Sequence, residues 1–226
     1  MGKIDILKEV PIFGDLSESD LQSVVVNMES QSYKKGRIIL KEDSVGEHCY
    51  FLIRGRVKIT RMSSDGREVI LALLGPGDFF GEMSLLSGES RSANVIALEK
   101  TKAMTLNTED FLNTLELHSK VAIGLLRELA IRLQKSDEQI ASLSLSDAER
   151  RIAITLLRIA EEQGTIHQGN VTIDPLPSQQ DVANMAGTTR ETVSRTYRLM
   201  EEDGYVKREG RKLVILYFKR FLSDFS

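Results

Sequence analysis

Two periodicities divide this chain. From about Tyr33 to Leu106 the apolar residues fall in short β-rich runs, RIIL, CYFLI, VKIT, VILALL, ANVIAL and KAMTL, punctuated by glycines at 36, 46, 55, 66, 75, 77, 81 and 88. Short strands with frequent turn residues predict an antiparallel barrel or roll. Ahead of them, Ser17-x-x-Asp20 predicts the capped start of a helix carrying Leu21, Val24, Val25 and Met28 on its apolar face. From Ser119 to Leu145 the period becomes helical. Leu126, Leu129, Leu133, Ser136, Ile140 and Leu143 recur at alternating spacings of three and four, which is a heptad seam. A seam on one helix needs a second helix. Its length, and polar Ser136 within an aliphatic stripe, predict pairing between two subunits; packing on its own domain is the alternative.

Ser146-Asp-Ala-Glu149 reads as a fresh capping box and marks a domain boundary near Ser146. The expected organisation is a β-rich domain over residues 1–118, a long helix over 119–145 and a second domain over 146–226. Within the last, Val171–Ile173 reads as a strand closed by Asp174-Pro175. Ser178-Gln-Gln-Asp181 starts a helix through Val182, Ala183 and Met185, and Gly187 permits a tight turn. Thr188 or Thr189 then caps a second helix running to about Glu202. Small Ala183 lets the two helices approach, and the whole reads as a helix-turn-helix. A strand pair follows around Glu209-Gly210, then an apolar tail with Phe218, Phe221, Leu222 and Phe225 at helical spacing.

The second helix of this motif separates into two faces. Val193, Tyr197 and Met200 turn to a core, leaving Arg190, Glu191, Ser194, Arg195 and Arg198 outward. An arginine can give two hydrogen bonds to guanine O6 and N7, and a glutamate can accept from a cytosine amino group. Thr188, Thr189, Thr192 and Ser194 suit phosphate contacts, as do Lys207, Arg208, Arg211 and Lys212 on the following wing. Thr188-x-x-Glu191 is also a capping box, so Glu191 has a structural reading beside the base-reading one.

Charge sharpens the picture. The net charge of −3 argues against nucleic acid only as a sum. From Ser178 to Arg220 there are nine Lys/Arg against six Asp/Glu, a local basic excess where the motif lies. At 226 residues, 41% hydrophobic and 28% charged, the chain has room for two modest soluble domains. No apolar run is long enough for a membrane span, and the opening residues lack a signal-peptide core and the hydroxyl residue of an acylation motif. Cys49, the single cysteine, excludes an internal disulfide and multi-cysteine metal sites, reads as a buried strand residue and points to the cytoplasm. The absence of a nucleophile–base pair, metal-ligand spacing or Walker loop argues against an enzyme.

One further constellation carries chemistry. Gly75-Pro-Gly-Asp-Phe-Phe-Gly81-Glu82-Met83-Ser84 is followed by Gly88 and then Arg91-Ser92-Ala93. Gly81 lets backbone N–H groups approach an anion, Arg91 can grip a phosphate, Ser92 can donate, and Glu82 can accept from a sugar hydroxyl. A Glu82–Arg91 salt bridge between two strands is the other reading of this spacing.

FFGEMSLLSGESRSA resembles the phosphate-binding cassette of the cyclic-AMP receptor protein (Crp/Fnr) family of bacterial transcription regulators. TTRETVSRTYRLMEEDGYV resembles its recognition helix, and the resemblance spans nearly the whole chain. It implies an α+β fold: an N-terminal antiparallel β-roll that binds a cyclic nucleotide, a long dimerisation helix and a C-terminal winged helix-turn-helix. Gly81, Glu82, Met83, Ser84, Arg91 and Ser92 would hold ribose and phosphate, with Arg132 pairing with Glu82. Arg190, Glu191 and Arg195 would read bases in a palindrome of TGTGA-like half-sites. The partners so implied are double-stranded DNA, a second copy of the chain, a cyclic nucleotide and RNA polymerase.

Two positions depart from the family. Where the long helix presents Thr then Ser to the purine, this chain has Ser136 and Asp137; the carboxylate needs donors, one from adenine's amino group or two from guanine's N1–H and amino group. The expected effector is cAMP, with cGMP the runner-up. Gln179, beside Ser178 among the expected backbone contacts, replaces a phosphate-contacting arginine. The cysteines of the oxygen-sensing branch are missing, and His48, His118 and His167 form no haem axial pair. A same-fold regulator that is constitutive, or senses another small molecule, is the alternative.

Overall fold

The computed structural model describes Ile4 and residues 7–225; most of the opening stretch read above lies outside the described residues. The chain forms two compact units, the first ending at Gln134 and the second opening at Lys135.

In the first unit, helix α1 (Glu18–Val25) starts at Ser17, whose side chain accepts from the Asp20 N–H. Eight strands follow: β1 (Glu29–Tyr33), β2 (Ile38–Leu40), β3 (His48–Arg54), β4 (Val57–Met62), β5 (Glu68–Leu74), β6 (Phe79–Phe80), β7 (Asn94–Ala97) and β8 (Thr101–Asn107). A short helix α2 (Glu82–Ser87) interrupts them, and α3 (Thr108–Leu117) leads to the long α4 (Ser119–Leu145). The strands make two antiparallel sheets, ordered β1-β8-β3-β6 and β2-β7-β4-β5.

Strand β3 shows why its sequence is apolar almost without alternation. Side chains alternate across a strand. Cys49 and Phe51 join a helix-side core with Phe13, Leu21, Phe111 and Val121, while Tyr50 and Leu52 join the roll core with Leu40, Val57 and Phe80. Cys49 is fully buried, and burial pushes its thiol well above the ordinary range. The expected runs became strands. Strand β1 was not expected: ESQSY is polar because it is an edge strand, paired among the described residues with β8 alone.

The second unit continues from the last turns of α4 into α5 (Ala148–Gln163), β9 (Thr165–His167), β10 (Asn170–Ile173), α6 (Gln179–Ala186), α7 (Arg190–Glu202), β11 (Val206–Glu209), β12 (Lys212–Ile215) and α8 (Phe218–Phe225). The four strands form one sheet, ordered β11-β12-β10-β9. Phe221 of α8 is fully buried and packs edge-on to Tyr205, so the apolar tail docks as a helix.

One expected cap sits one residue further along. The Ser146 N–H still bonds to the Ser142 carbonyl, so Ser146 belongs to the end of α4 and Asp147 caps α5, accepting from the Arg150 N–H at 2.8 Å. Of the two residues expected to cap α7, Thr189 does so, while the Thr188 N–H closes α6 on the Ala183 carbonyl. The boxes read at Ser146 and Thr188 are corrected accordingly.

Candidate functional site

In the first unit, Gly81 occupies the left-handed region at φ +86° and opens α2. Only glycine serves there: a Cβ would lie 2.8 Å from Arg91 Nη1 and 3.1 Å from the His48 carbonyl oxygen. The guanidinium of Arg91 donates to the Gly81 carbonyl, to Ser84 Oγ at 2.7 Å and to the His48 carbonyl at 2.7 Å. Arg91 is 4% exposed, its Nε has no partner, and among the described residues no carboxylate forms an ion pair with it. The Glu82–Arg91 bridge is therefore not what these residues make. Burial draws the Arg91 pKa below its usual value. A buried cation held only by neutral oxygens is the electrostatic form of an anion site.

Glu82 is buried and pairs instead with Arg132 of α4, Oε1 to Nη1 at 2.9 Å. Arg132 also donates to the Phe79 carbonyl at 2.7 Å and lies 4.3 Å over the Phe79 ring. Burial pushes the Glu82 carboxyl up, and the two nearby guanidinium groups, Arg132 foremost, pull against that shift. Ser84 is buried beside Arg91, whereas Met83 and Ser92 are exposed, the Ser92 hydroxyl facing Met83 Sδ at 4.0 Å. Backbone oxygens of His48 and Phe79, and Gly46, whose Cβ would fall 3.2 Å from Arg91 Cζ, belong to this constellation too. Sequence pattern announced Gly46 only as a turn.

In the second unit, Gly187 turns at φ +60° between α6 and α7. Val193, Tyr197 and Met200 are buried, and Arg190, Glu191, Ser194, Arg195 and Arg198 are exposed. Among the described residues neither Arg190 nor Arg195 is ion-paired; Arg198 approaches Glu202 at 3.9 Å. Glu191 lies in the first turn, where its own N–H and the Thr189 hydroxyl hold its carboxyl below the ordinary range. Thr189 and Thr192 share a hydroxyl contact at 3.1 Å. Ser178 caps α6, and Gln179 is its first residue.

The wing differs from expectation at one residue. Lys207 and Arg211 are exposed, Lys207 paired with Glu209 at 2.7 Å. Arg208 is turned the other way, bonded to Glu201 at 2.6 Å and lying 5.3 Å over the Tyr197 ring. Strand alternation explains it: Val206 and Arg208 share the inward face of β11. Arg208 braces the recognition helix and is not a free phosphate contact. Arg151, which no pattern singled out, donates to the Ser146 carbonyl at 2.8 Å, the Ala186 carbonyl at 2.8 Å and the Gly187 carbonyl at 3.2 Å.

On α4, Leu126, Leu133, Ile140 and Leu143 are 65%, 63%, 62% and 46% exposed in the single chain, and Ser136 and Asp137 are exposed. Among the described residues no helix is long and apolar enough to cross a membrane, and no group of metal-ligating side chains is found.

Residues 30–118 match the family model of the cyclic nucleotide-binding domain, and residues 150–222 match that of the Crp-like helix-turn-helix domain. The cyclic AMP receptor protein of Thermus thermophilus is 34% identical over 203 residues, covering 89% of this chain and 90% of that protein. The structure of FixK2 from Bradyrhizobium japonicum is similar with a TM-score of 0.77 and 27% identity, covering 87% of this chain and 96% of that one. The c-di-GMP-responsive regulator CLP of Xanthomonas campestris shares the fold, with a TM-score of 0.75 at 21% identity over 88% of this chain and 99% of that one. With a cyclic nucleotide-binding domain followed by a Crp-like helix-turn-helix, this chain belongs to the Crp/Fnr family and is a DNA-binding transcription regulator, not an enzyme.

Proposed function

We propose that this regulator is a cytoplasmic homodimer switched by a cyclic nucleotide, cAMP, and that it binds a palindrome of TGTGA-like half-sites to act on RNA polymerase. The observation that carries the nucleotide is Arg91, a buried guanidinium without a carboxylate partner beside Gly81 and the start of α2. A cyclic phosphate supplies the missing negative charge, met by Arg91, Ser92 and the N–H groups near Gly81 and Met83. The ribose 2′-hydroxyl donates to Glu82, which Arg132 holds in place. Ser136 and Asp137 of the seam select the base.

Arg190, Glu191 and Arg195 read base edges, and Ser178, Gln179, Thr188, Thr189, Thr192, Ser194, Lys207 and Arg211 hold the DNA backbone. For a dimer the two recognition helices must span successive major grooves, about 34 Å apart. Nucleotide acts as a switch only by binding the DNA-competent state more tightly than the other.

Asp137 supports cGMP as the second reading, since guanine N1–H and its amino group present two donors side by side to a carboxylate while adenine offers one amino group. Calorimetry with cAMP and cGMP, followed by operator titration at fixed salt, tests both. The expected result is saturable heat with cAMP and a rise in operator affinity. Heat with neither nucleotide would leave a constitutive regulator or one sensing another ligand, and saturating nucleotide without effect on operator affinity would sink the switch.

At the DNA face, Arg190→Ala is expected to weaken operator binding by about 1–3 kcal/mol and to relax specificity at a single base position. A uniform loss across all sequences, read by binding to a panel of single-base operator variants, would reassign Arg190 to the backbone.

A further inference from the structure

The first unit carries a second concentration of positive charge, at the far end of β3 from the His48 carbonyl that Arg91 grips. Strand β3 is seven residues long, so its ends stand about 20 Å apart. A cleft of about 600 Å³ opens at the Arg54 end. Arg54, Lys100 and Lys102 line it, all exposed, and among the described residues none of the three is ion-paired. Glu99, the one carboxylate in the lining, is engaged by Arg56 at 3.3 Å. The neighbouring β1–β2 turn adds Lys34, Lys35 and Arg37, tied to the same edge by the Gly36 N–H on the Ala97 carbonyl at 2.7 Å. Among the described residues the lining thus sets three cations without an ion pair beside one engaged carboxylate, on a chain whose net charge is −3.

The backbone makes this more than a scatter of surface lysines. Gly55 turns at φ +84°, and a Cβ there would strike the Lys100 carbonyl oxygen at 2.6 Å, so the two loops close on one another only with glycine. The Thr101 hydroxyl is buried between them, donating to the Glu99 and Arg56 carbonyls. In the sheet register, Lys102 stands directly opposite Arg54. Like charges facing each other across an antiparallel pair are unfavourable, and a bound anion reverses the sign of that interaction.

We infer that this cleft is a second ligand site, taking a compact oligophosphate: inorganic triphosphate or the phosphate tail of a nucleoside polyphosphate. The lining holds no aromatic side chain on which a base could stack, so the phosphates carry recognition and any nucleoside lies outside. The site is separate from the cassette, and the triphosphate arm of its test does not depend on the identity of the cyclic nucleotide.

The experiment is calorimetry of the full chain in saturating cAMP and in buffer free of phosphate and sulfate, with sodium triphosphate, ATP and adenosine as titrants. Wild type is expected to bind triphosphate once per chain and adenosine not at all. Arg54→Ser with Lys102→Ser, both at exposed positions, is expected to bind it at least roughly tenfold more weakly with cAMP affinity unchanged. ATP tighter than triphosphate identifies a nucleotide as the source, and triphosphate tighter than ATP an inorganic one. Absence of triphosphate binding, or equal binding by the double variant, overturns the assignment. So does a double variant that loses operator affinity while wild type ignores triphosphate, because the cleft would then serve DNA phosphates.

Discussion

Arg91→Ala is expected to weaken cyclic-nucleotide binding by at least about 30-fold while leaving the unliganded roll folded. Removing one member of a buried, hydrogen-bonded charge pair costs about 2–5 kcal/mol, and the pair here is completed by the ligand phosphate. The unliganded side of the balance is what makes the prediction specific. Arg91 is buried without a counter-ion and with its Nε unpartnered, so its charge is a burden on the empty roll. Truncation relieves that burden and in exchange leaves Ser84 and the Gly81 and His48 carbonyls short of a donor. These opposed effects leave the unliganded melting temperature little changed. Wild type at a hundredfold excess over Kd gains about 2.7 kcal/mol from ligand, and the variant gains less than about 1 kcal/mol at the same concentration. Paired melts with and without nucleotide read both quantities. A variant that melts far below wild type without ligand, or that retains ligand stabilisation, contradicts the assignment of Arg91 to phosphate.

The second large effect concerns the seam. Leu133→Glu with Ile140→Glu is expected to convert a dimer to monomers and to lower operator affinity by about 10²–10⁴. Both side chains are more than 60% exposed in the single chain, so the substitutions empty no core within it, and glutamate is a good helix former. In a paired seam the same positions face their counterparts, where like charges in an apolar contact oppose association. Two half-sites held together act as one multivalent reader, and their separation forfeits that advantage. Light scattering reports the mass and a half-site titration reports the intrinsic affinity, which is expected to survive. A double variant that stays dimeric would move the interface elsewhere.

Much of this was legible in the residues because it follows from side-chain pattern. Strands with apolar faces, the faces of α7 and the Gly187 turn all depend on periods of two and 3.6 or on the one residue that tolerates positive φ. What escaped depends on other atoms. Strand β1 is polar at the sheet edge, and only its pairing with β8 defines it. The cap of α5 moved by one residue, and the box read at Thr188 failed, because Ser146 and Thr188 spend their backbone N–H groups on the preceding helix, which a capping motif does not encode. The oxygens that hold Arg91 and Arg132 include the carbonyls of His48, Gly81 and Phe79, and main-chain atoms leave no trace in residue identity. Arg208 looked like a wing cation until strand alternation turned it inward to Glu201.

Arg151 has a mechanical consequence. Its one planar guanidinium clasps the carbonyl that ends the long helix and both carbonyls at the helix-turn-helix corner, and Leu143 sits so close that a Cβ on Gly187 would come within 2.9 Å of it. Three carbonyls held by one rigid, planar group resist moving independently of one another. A rotation of the Leu145 end of α4 is therefore expected to carry the corner before the recognition helix with it.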